Sequence, residues 1–227
     1  MSPVKLVIPV PPRSGAASFR LISQILEIGT YIFPDDGKFN GSGAPGRLLE
    51  DLLGISANNA DSPDLSGWEI KFHGGSSLLT LFHKDPEPIG IIRELVHAHG
   101  WDDGKGRISF RHTISKETAR GFYVVNEADR IVIRNKFKDA PVPHWTHNTL
   151  LNALGSKLRR LIVIQGEVLK NPRRVIYQKA TAYWEPDIIG FARAVADGIF
   201  CVDFDARTQG GVGSAIRNHG TKFRIKV

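Results

Sequence analysis

The chain has a single cysteine, Cys201, among its 227 residues. That scarcity excludes an internal disulfide framework and any zinc site built on cysteine spacing. Cys201 lies in the apolar run Gly198-Ile199-Phe200-Cys201-Val202, which predicts a buried structural thiol and no nucleophile. Long apolar runs are missing as well. Nowhere do about 18 apolar residues follow one another, so no membrane span is expected. The stretch from Met1 to Pro12 carries only a short, proline-broken apolar run, without the basic start and long core of a secretion signal, and a cytoplasmic protein is expected. No internal repeat or low-complexity linker divides the sequence.

Basic charge, by contrast, is in excess. The formal net charge is +7 and the pI about 9.6, a balance that favours a polyanionic partner. Hydrophobic residues make up 41% and charged residues 23%, which describes a globular chain able to bury a sizeable core. Arg134-Asn135-Lys136-Phe137-Lys138, Lys157-Leu158-Arg159-Arg160 and Arg173-Arg174 are basic clusters. Each reads singly as a solvated basic face, and together they fit phosphate contacts that position a duplex.

Hydrophobic spacing predicts a helix over Ala16 to Ile32, a short one over Arg47 to Leu53 ended by Gly54, and others over Ile89 to His99, Thr146 to Arg159 and Ile188 to Asp197. Strands are predicted at Trp68 to His73 and Leu78 to His83, with His73-Gly74-Gly75-Ser76-Ser77 as a hairpin turn between them. Further strands are predicted at Arg107 to Thr113, Gly121 to Asn126, Arg130 to Asn135, Leu161 to Gln165, Val175 to Trp184, Ile199 to Phe204 and Lys222 to Val227. Glu127-Ala128-Asp129 would close a second hairpin. His144 and His147 flank Trp145 in a proline-bounded loop. Strands mixed with helices and hairpins indicate an α/β or α+β domain with a mixed sheet.

The chemistry concentrates in Pro63-Asp64-Leu65-Ser66-Gly67-Trp68-Glu69-Ile70-Lys71. In a strand, alternate side chains share a face, so Trp68, Ile70 and Phe72 enter the core and leave Glu69, Lys71 and His73 on a polar surface. Asp64 opens the same segment. Two carboxylates beside an ammonium suit a hard divalent cation with a phosphate held next to it. Glu50, within Arg47-Leu48-Leu49-Glu50-Asp51-Leu52-Leu53, reads either as a solvated helix acid or as a supporting carboxylate for that site. His73 could touch DNA or water near it, or be an exposed histidine without a role. Arg207, Arg217 and His219 lie in or beside glycine-bearing loops and are the candidates for reading bases, since arginine can donate two hydrogen bonds to guanine. The alternative for the arginines is pairing with Asp203 or Asp205.

A helix acid, then Pro-Asp, then Glu-x-Lys, then a glycine turn into Leu78-Leu79-Thr80-Leu81-Phe82-His83-Lys84 resembles the MvaI/BcnI restriction endonucleases. Those are relatives of the mismatch-repair nicking enzyme MutH within the PD-(D/E)XK nuclease superfamily. Asp203-Phe204-Asp205-Ala206-Arg207 and Arg217-Asn218-His219-Gly220-Thr221-Lys222-Phe223-Arg224-Ile225 are similar to that family's ending, so the resemblance runs from about Leu48 to Ile225. It implies a restriction-endonuclease-like core, a mixed β-sheet flanked by helices. Residues 1–227 are expected to form one nuclease domain, with a catalytic core over about 15–115 and DNA-recognition elements over about 120–227.

The resemblance further implies Asp64 and Glu69 as Mg²⁺ ligands, Lys71 at the scissile phosphate or attacking water, and Glu50 as an auxiliary acid. The implied enzyme is a type II restriction endonuclease cutting double-stranded DNA at a short G·C-rich site such as CCWGG or CCSGG. It would act as a monomer, with a cognate DNA methyltransferase in the same system. The alternatives are a MutH-like nicking endonuclease of DNA repair and a non-catalytic DNA-binding module of the same fold.

Overall fold

Apolar alternation and helical spacing resolve into thirteen strands and four helices in a computed structural model that describes residues 29–35, 37–54, 67–75, 77–139, 141–184 and 188–226, with Ser23 and Glu27. In chain order these are β1 (Thr30–Ile32), α1 (Ala44–Leu52), β2 (Glu69–Gly74), β3 (Leu79–His83), α2 (Ile91–His99), β4 (Trp101–Asp102) and β5 (Ile108–Ile114). There follow β6 (Phe122–Asn126), β7 (Arg130–Asn135), β8 (His144–Thr146), α3 (His147–Lys157), β9 (Arg160–Lys170) and β10 (Arg173–Trp184). The chain closes with α4 (Ile188–Ala196), β11 (Phe200–Thr208), β12 (Ile216–Asn218) and β13 (Lys222–Ile225). The described residues fall into two compact units, one drawn from those up to Leu79 and from Leu154 to Trp184, the other from Thr80–Ala153 and from Ile188 to Lys226. No helix among the described residues is long and apolar enough to cross a membrane.

In the first unit a four-stranded sheet runs β1-β10-β9-β2. Its first three strands are antiparallel, while β2 joins β9 in parallel, with Ile70 opposite Ile162 and Phe72 opposite Ile164. Helix α1 begins beside Gly43 with Pro45 in its first turn, where a missing N–H costs nothing. Its Leu48 and Leu49 are buried with Trp68, Ile70, Ile162, Ile164 and Val175. Each such side chain removed from water contributes about 1.5–3 kcal/mol. This cluster seats the helix carrying Glu50 on the strand carrying Glu69 and Lys71.

The second unit holds a sheet ordered β3-β13-β11-β5-β4, with β12 on β11, and a three-stranded sheet β6-β7-β8. Aromatic rings fill its core: Phe110 meets Phe204 and Phe122, and Trp145 meets Phe223 edge-on at 5.2 Å. Trp145 is fully buried, and its indole N–H donates to the Lys84 carbonyl at 3.0 Å, which satisfies the one polar atom it brings inside. Cys201 is buried on β11, and desolvation raises its thiol pKa above the ordinary value, as suits a structural thiol.

Several expectations need correction. Thr30–Ile32 form a strand on β10, although helical spacing extended through them; most of the expected helix before them lies outside the described residues. The glycine turn after β2 does not close a hairpin, because β2 pairs with β9 and β3 lies in the other sheet, next to β13. His144 and Trp145 belong to a short strand paired with β7, where a loop was expected. The Glu127-Ala128-Asp129 hairpin forms as expected, with Phe122 opposite Asn135.

Candidate functional site

Strand β2 presents Glu69 and Lys71 on one face, opposite Leu161 and Val163 of β9. The Glu69 carboxylate and the Lys71 ammonium are in direct contact, with side chains 6% and 28% exposed respectively. A carboxylate so far removed from water is costly to keep ionised without a cationic partner, and Lys71 supplies one. The expected polar surface is therefore a covered face: Glu69 and His73 are both buried. His73 spends its Nε2 on the Ser77 carbonyl within the turn that follows. Register places Gln165 beside His73, and Thr181 and Tyr183 of β10 beyond Val163 and Leu161, on the same face. Burial raises the Tyr183 hydroxyl pKa above its ordinary value. These three residues gave no signal in the sequence, because only the strand order brings them near β2.

Glu50 is half-buried on α1. A methyl group at Gly46 of that helix would come within 3.9 Å of the Phe72 Cβ, so helix and strand approach closely there. Asp64 lies outside the described residues. Among the described residues no three acidic, histidine or cysteine side chains converge as a ligand set. The donors that the first unit offers are carboxylate oxygens, the type that hard divalent cations take.

The second candidate surface is built on β11. Asp203, Asp205 and Arg207 alternate with the buried Val202, Phe204 and Ala206, so the three charged side chains share one face. Asp203 accepts from Thr113 Oγ1 at 2.7 Å and Arg224 at 3.0 Å. Asp205 accepts from Arg111 at 3.1 Å and is bridged by Lys222 at 3.5 Å. Both acids are thus occupied by residues other than the candidate readers. Arg207 and Arg217 sit opposite each other on β11 and β12, on the strands that flank the glycine-bearing loop. Among the described residues neither is in an ion pair.

His219 is exposed, and its backbone N–H donates to the Asp205 carbonyl at 2.9 Å. The turn around it is pinned by Asp85, which accepts from Asn218 Nδ2 at 2.8 Å and from the Thr221 N–H at 2.9 Å. Gly220 has φ of +82°, and a Cβ there would meet the His83 ring at 2.9 Å, so this corner requires glycine. Asp85 was not singled out in the sequence; an acid after a strand carries no signal until its partner, 133 residues on, is known. A cavity of about 340 Å³ lined by Asn126, Glu127, His147, Ile188 and Ile189 contains none of the expected site residues.

A family model described as the MvaI/BcnI restriction endonuclease family matches residues 22–227. Among solved structures, one described as restriction endonuclease MvaI in complex with its cognate DNA substrate matches with a TM-score of 0.79 at 25% identity, covering 96% of this chain and 95% of that one. Another, restriction endonuclease MvaI in the absence of DNA, matches with a TM-score of 0.56 at 24% identity, covering 97% of this chain and 94% of that one, and bears on the fold alone. No curated protein matches.

Proposed function

The chain belongs to the MvaI/BcnI restriction endonuclease family, and we propose that it is a sequence-specific type II enzyme hydrolysing phosphodiester bonds of double-stranded DNA at a short G·C-rich site of the CCWGG or CCSGG kind. The observation that carries this reading is the covered Glu69–Lys71 pair on one face of a strand. A water-excluded carboxylate joined to an ammonium is a poor surface ornament and a good place to gather a phosphate.

Mg²⁺ fits the donor set, with Glu69 and Asp64 as ligands and Glu50 as an auxiliary acid. When bound, the ion supplies positive charge against the phosphate and lowers the pKa of water to a value useful near neutrality. Lys71 donates from its ammonium to a phosphate oxygen, where negative charge accumulates as the bond to the leaving group breaks. Glu69 fixes the lysine in that position. Glu50 accepts a hydrogen bond from water approaching the phosphorus and so orients it. These assignments follow the PD-(D/E)XK pattern in its MutH-like form.

Arg207, Arg217 and His219 are assigned to base contacts. Arg207 and Arg217 stand opposite each other on β11 and β12, neither is in an ion pair among the described residues, and the acids of β11 are already engaged, which supports that role. The similarity to an enzyme solved with its cognate DNA supports duplex DNA as the partner. His73, with its ring bonded to Ser77, is assigned to shaping the turn after β2 at the DNA-facing end of the site. Residues 1–227 are taken as one nuclease domain with a catalytic core over about 15–115, to whose sheet β9 and β10 add their strands, and recognition elements over about 120–227. The assignment also carries a monomer acting in the cytoplasm beside a cognate methyltransferase.

The test is to incubate a sequenced plasmid with the protein and Mg²⁺ and map the ends. Fragments with one set of defined termini support the reading. A plasmid left intact, or ends scattered without sequence preference, overturns it.

A further inference from the structure

We propose that Tyr177 is a positioning residue that sets the helix carrying Glu50 against strand β2, an inference resting on the active-site reading above. Tyr177 lies on β10, two strands away from β2, and is 3% exposed. Its hydroxyl donates to the Pro45 carbonyl at 2.9 Å. Pro45 is in the first turn of α1, and its carbonyl can take this second donor in addition to the helix's own N–H, since a carbonyl has two lone pairs. Burial raises the Tyr177 pKa well above the ordinary tyrosine value, so the hydroxyl stays protonated and remains a donor.

The sheet is shaped to bring this hydroxyl to the helix. The register of β9 and β10 shifts between Tyr177 and Lys179, a bulge that re-aims side chains at that point. Gly166 of β9 lies opposite both Tyr177 and Gly74 of β2. A Cβ at Gly74 would be 2.9 Å from the Phe72 ring, and one at Gly166 would be 3.0 Å from it, so the two glycines leave the bed in which that ring lies. The Phe72 ring in turn meets Tyr177 edge-on, with centroids 5.8 Å apart and planes at 86°. Phe72 follows Lys71 directly. One tyrosine therefore touches both halves of the site, the helix by a hydrogen bond and the strand by ring packing.

Helix α1 is a rigid rod over so short a span, so fixing Pro45 fixes Glu50 five residues later. Releasing it permits a shift of a fraction of an ångström, enough to slow a reaction that depends on oriented water. Tyr177→Phe removes the hydroxyl and keeps the ring on Phe72. The expected result is a kcat for cleavage lowered about tenfold with KM changed by less than about twofold, because the ground-state DNA contacts lie elsewhere. In a double-mutant cycle with Glu50→Gln, the Tyr177→Phe loss should vanish, since both act through one group. A Glu50→Gln enzyme that is impaired beside a Tyr177→Phe enzyme with unchanged kcat overturns the positioning role alone, as does full additivity in the cycle. A Glu50→Gln enzyme with unchanged kcat overturns the assignment of Glu50 and the positioning role with it.

Discussion

Arg207 on β11 and Arg217 on β12 stand directly opposite each other, and neither meets an acid among the described residues. Like charges facing across a strand pair destabilise the fold by about 0.2–1 kcal/mol. The acids that would relieve the repulsion, Asp203 and Asp205, are held by Arg224, Arg111 and Lys222. Such an arrangement favours the state in which a polyanion lies over both guanidinium groups.

Arg217→Ala should therefore move stability and binding in opposite directions. The melting temperature should rise by up to about 4 °C, from relief of up to about 1 kcal/mol of repulsion in a chain of this size. Discrimination between cognate and mismatched duplexes should fall by about 1–3 kcal/mol in a competition binding assay at fixed salt. Unchanged affinity and selectivity would remove Arg217 from the interface.

Asp85→Ala should loosen the turn that carries His219. Two hydrogen bonds are lost; the exposed Asn218 amide turns to water, while the Thr221 N–H, in a buried residue, is left without its acceptor at a cost of about 1–3 kcal/mol in chemical denaturation. DNA binding should weaken with the lost order. Asp85→Asn, which keeps one acceptor oxygen, should recover part of both.

His112 predicts a pH dependence of stability. Desolvation, with help from nearby Arg120 and His99, pushes its pKa down to about 4, and its Nε2 is buried without a hydrogen-bond partner among the described residues. The folded state thus prefers the neutral ring. The stabilisation is fully present above about pH 6.5 and is lost as pH falls towards 4, because only the unfolded chain takes up the proton in that window. With the ring only partly buried and solvent screening the charge, the effect should be about 1 kcal/mol. His112→Phe should flatten that limb of the stability curve; an unchanged limb would contradict the assignment.

Gly166→Ala should be among the most damaging small substitutions. Its Cβ would stand 2.1 Å from the Ile176 carbonyl oxygen, a backbone atom that cannot swing aside. Overpacking of this kind costs about 1–3 kcal/mol or more, measurable as a lower denaturation midpoint. Gly155→Ala, with open space around it, serves as the neutral control.

The Trp68-Ile70-Phe72 alternation made β2 legible, because a two-residue apolar period is a strand signal that needs no partner. What it could not show is that the polar side of the strand is also covered. Nor could it show the strand that β2 joins, β9, which lies some ninety residues later and which no local pattern encodes. The same reason explains the false hairpin after His73: glycines mark where a chain turns, without naming the strand it turns towards. Thr30–Ile32 continued a helical period and yet form a strand, because β10 offers them an edge. Glu69, Lys71 and Arg217 stood out in the sequence by chemistry and spacing. Asp85 and Tyr177 did not, since their meaning lies in partners 133 and 132 residues distant.

The most direct test is Mg²⁺-dependent cleavage of a mapped plasmid site by the unaltered protein, Glu69→Gln and Lys71→Met, each with thermal melting recorded in parallel. Both substitutions approximate the original side-chain size while removing one charge. The unaltered protein should cut at defined positions, and each variant, still folded, should lose at least roughly 10²–10³-fold in rate. Folded variants that cut at the unaltered rate would contradict the roles given to Glu69 and Lys71.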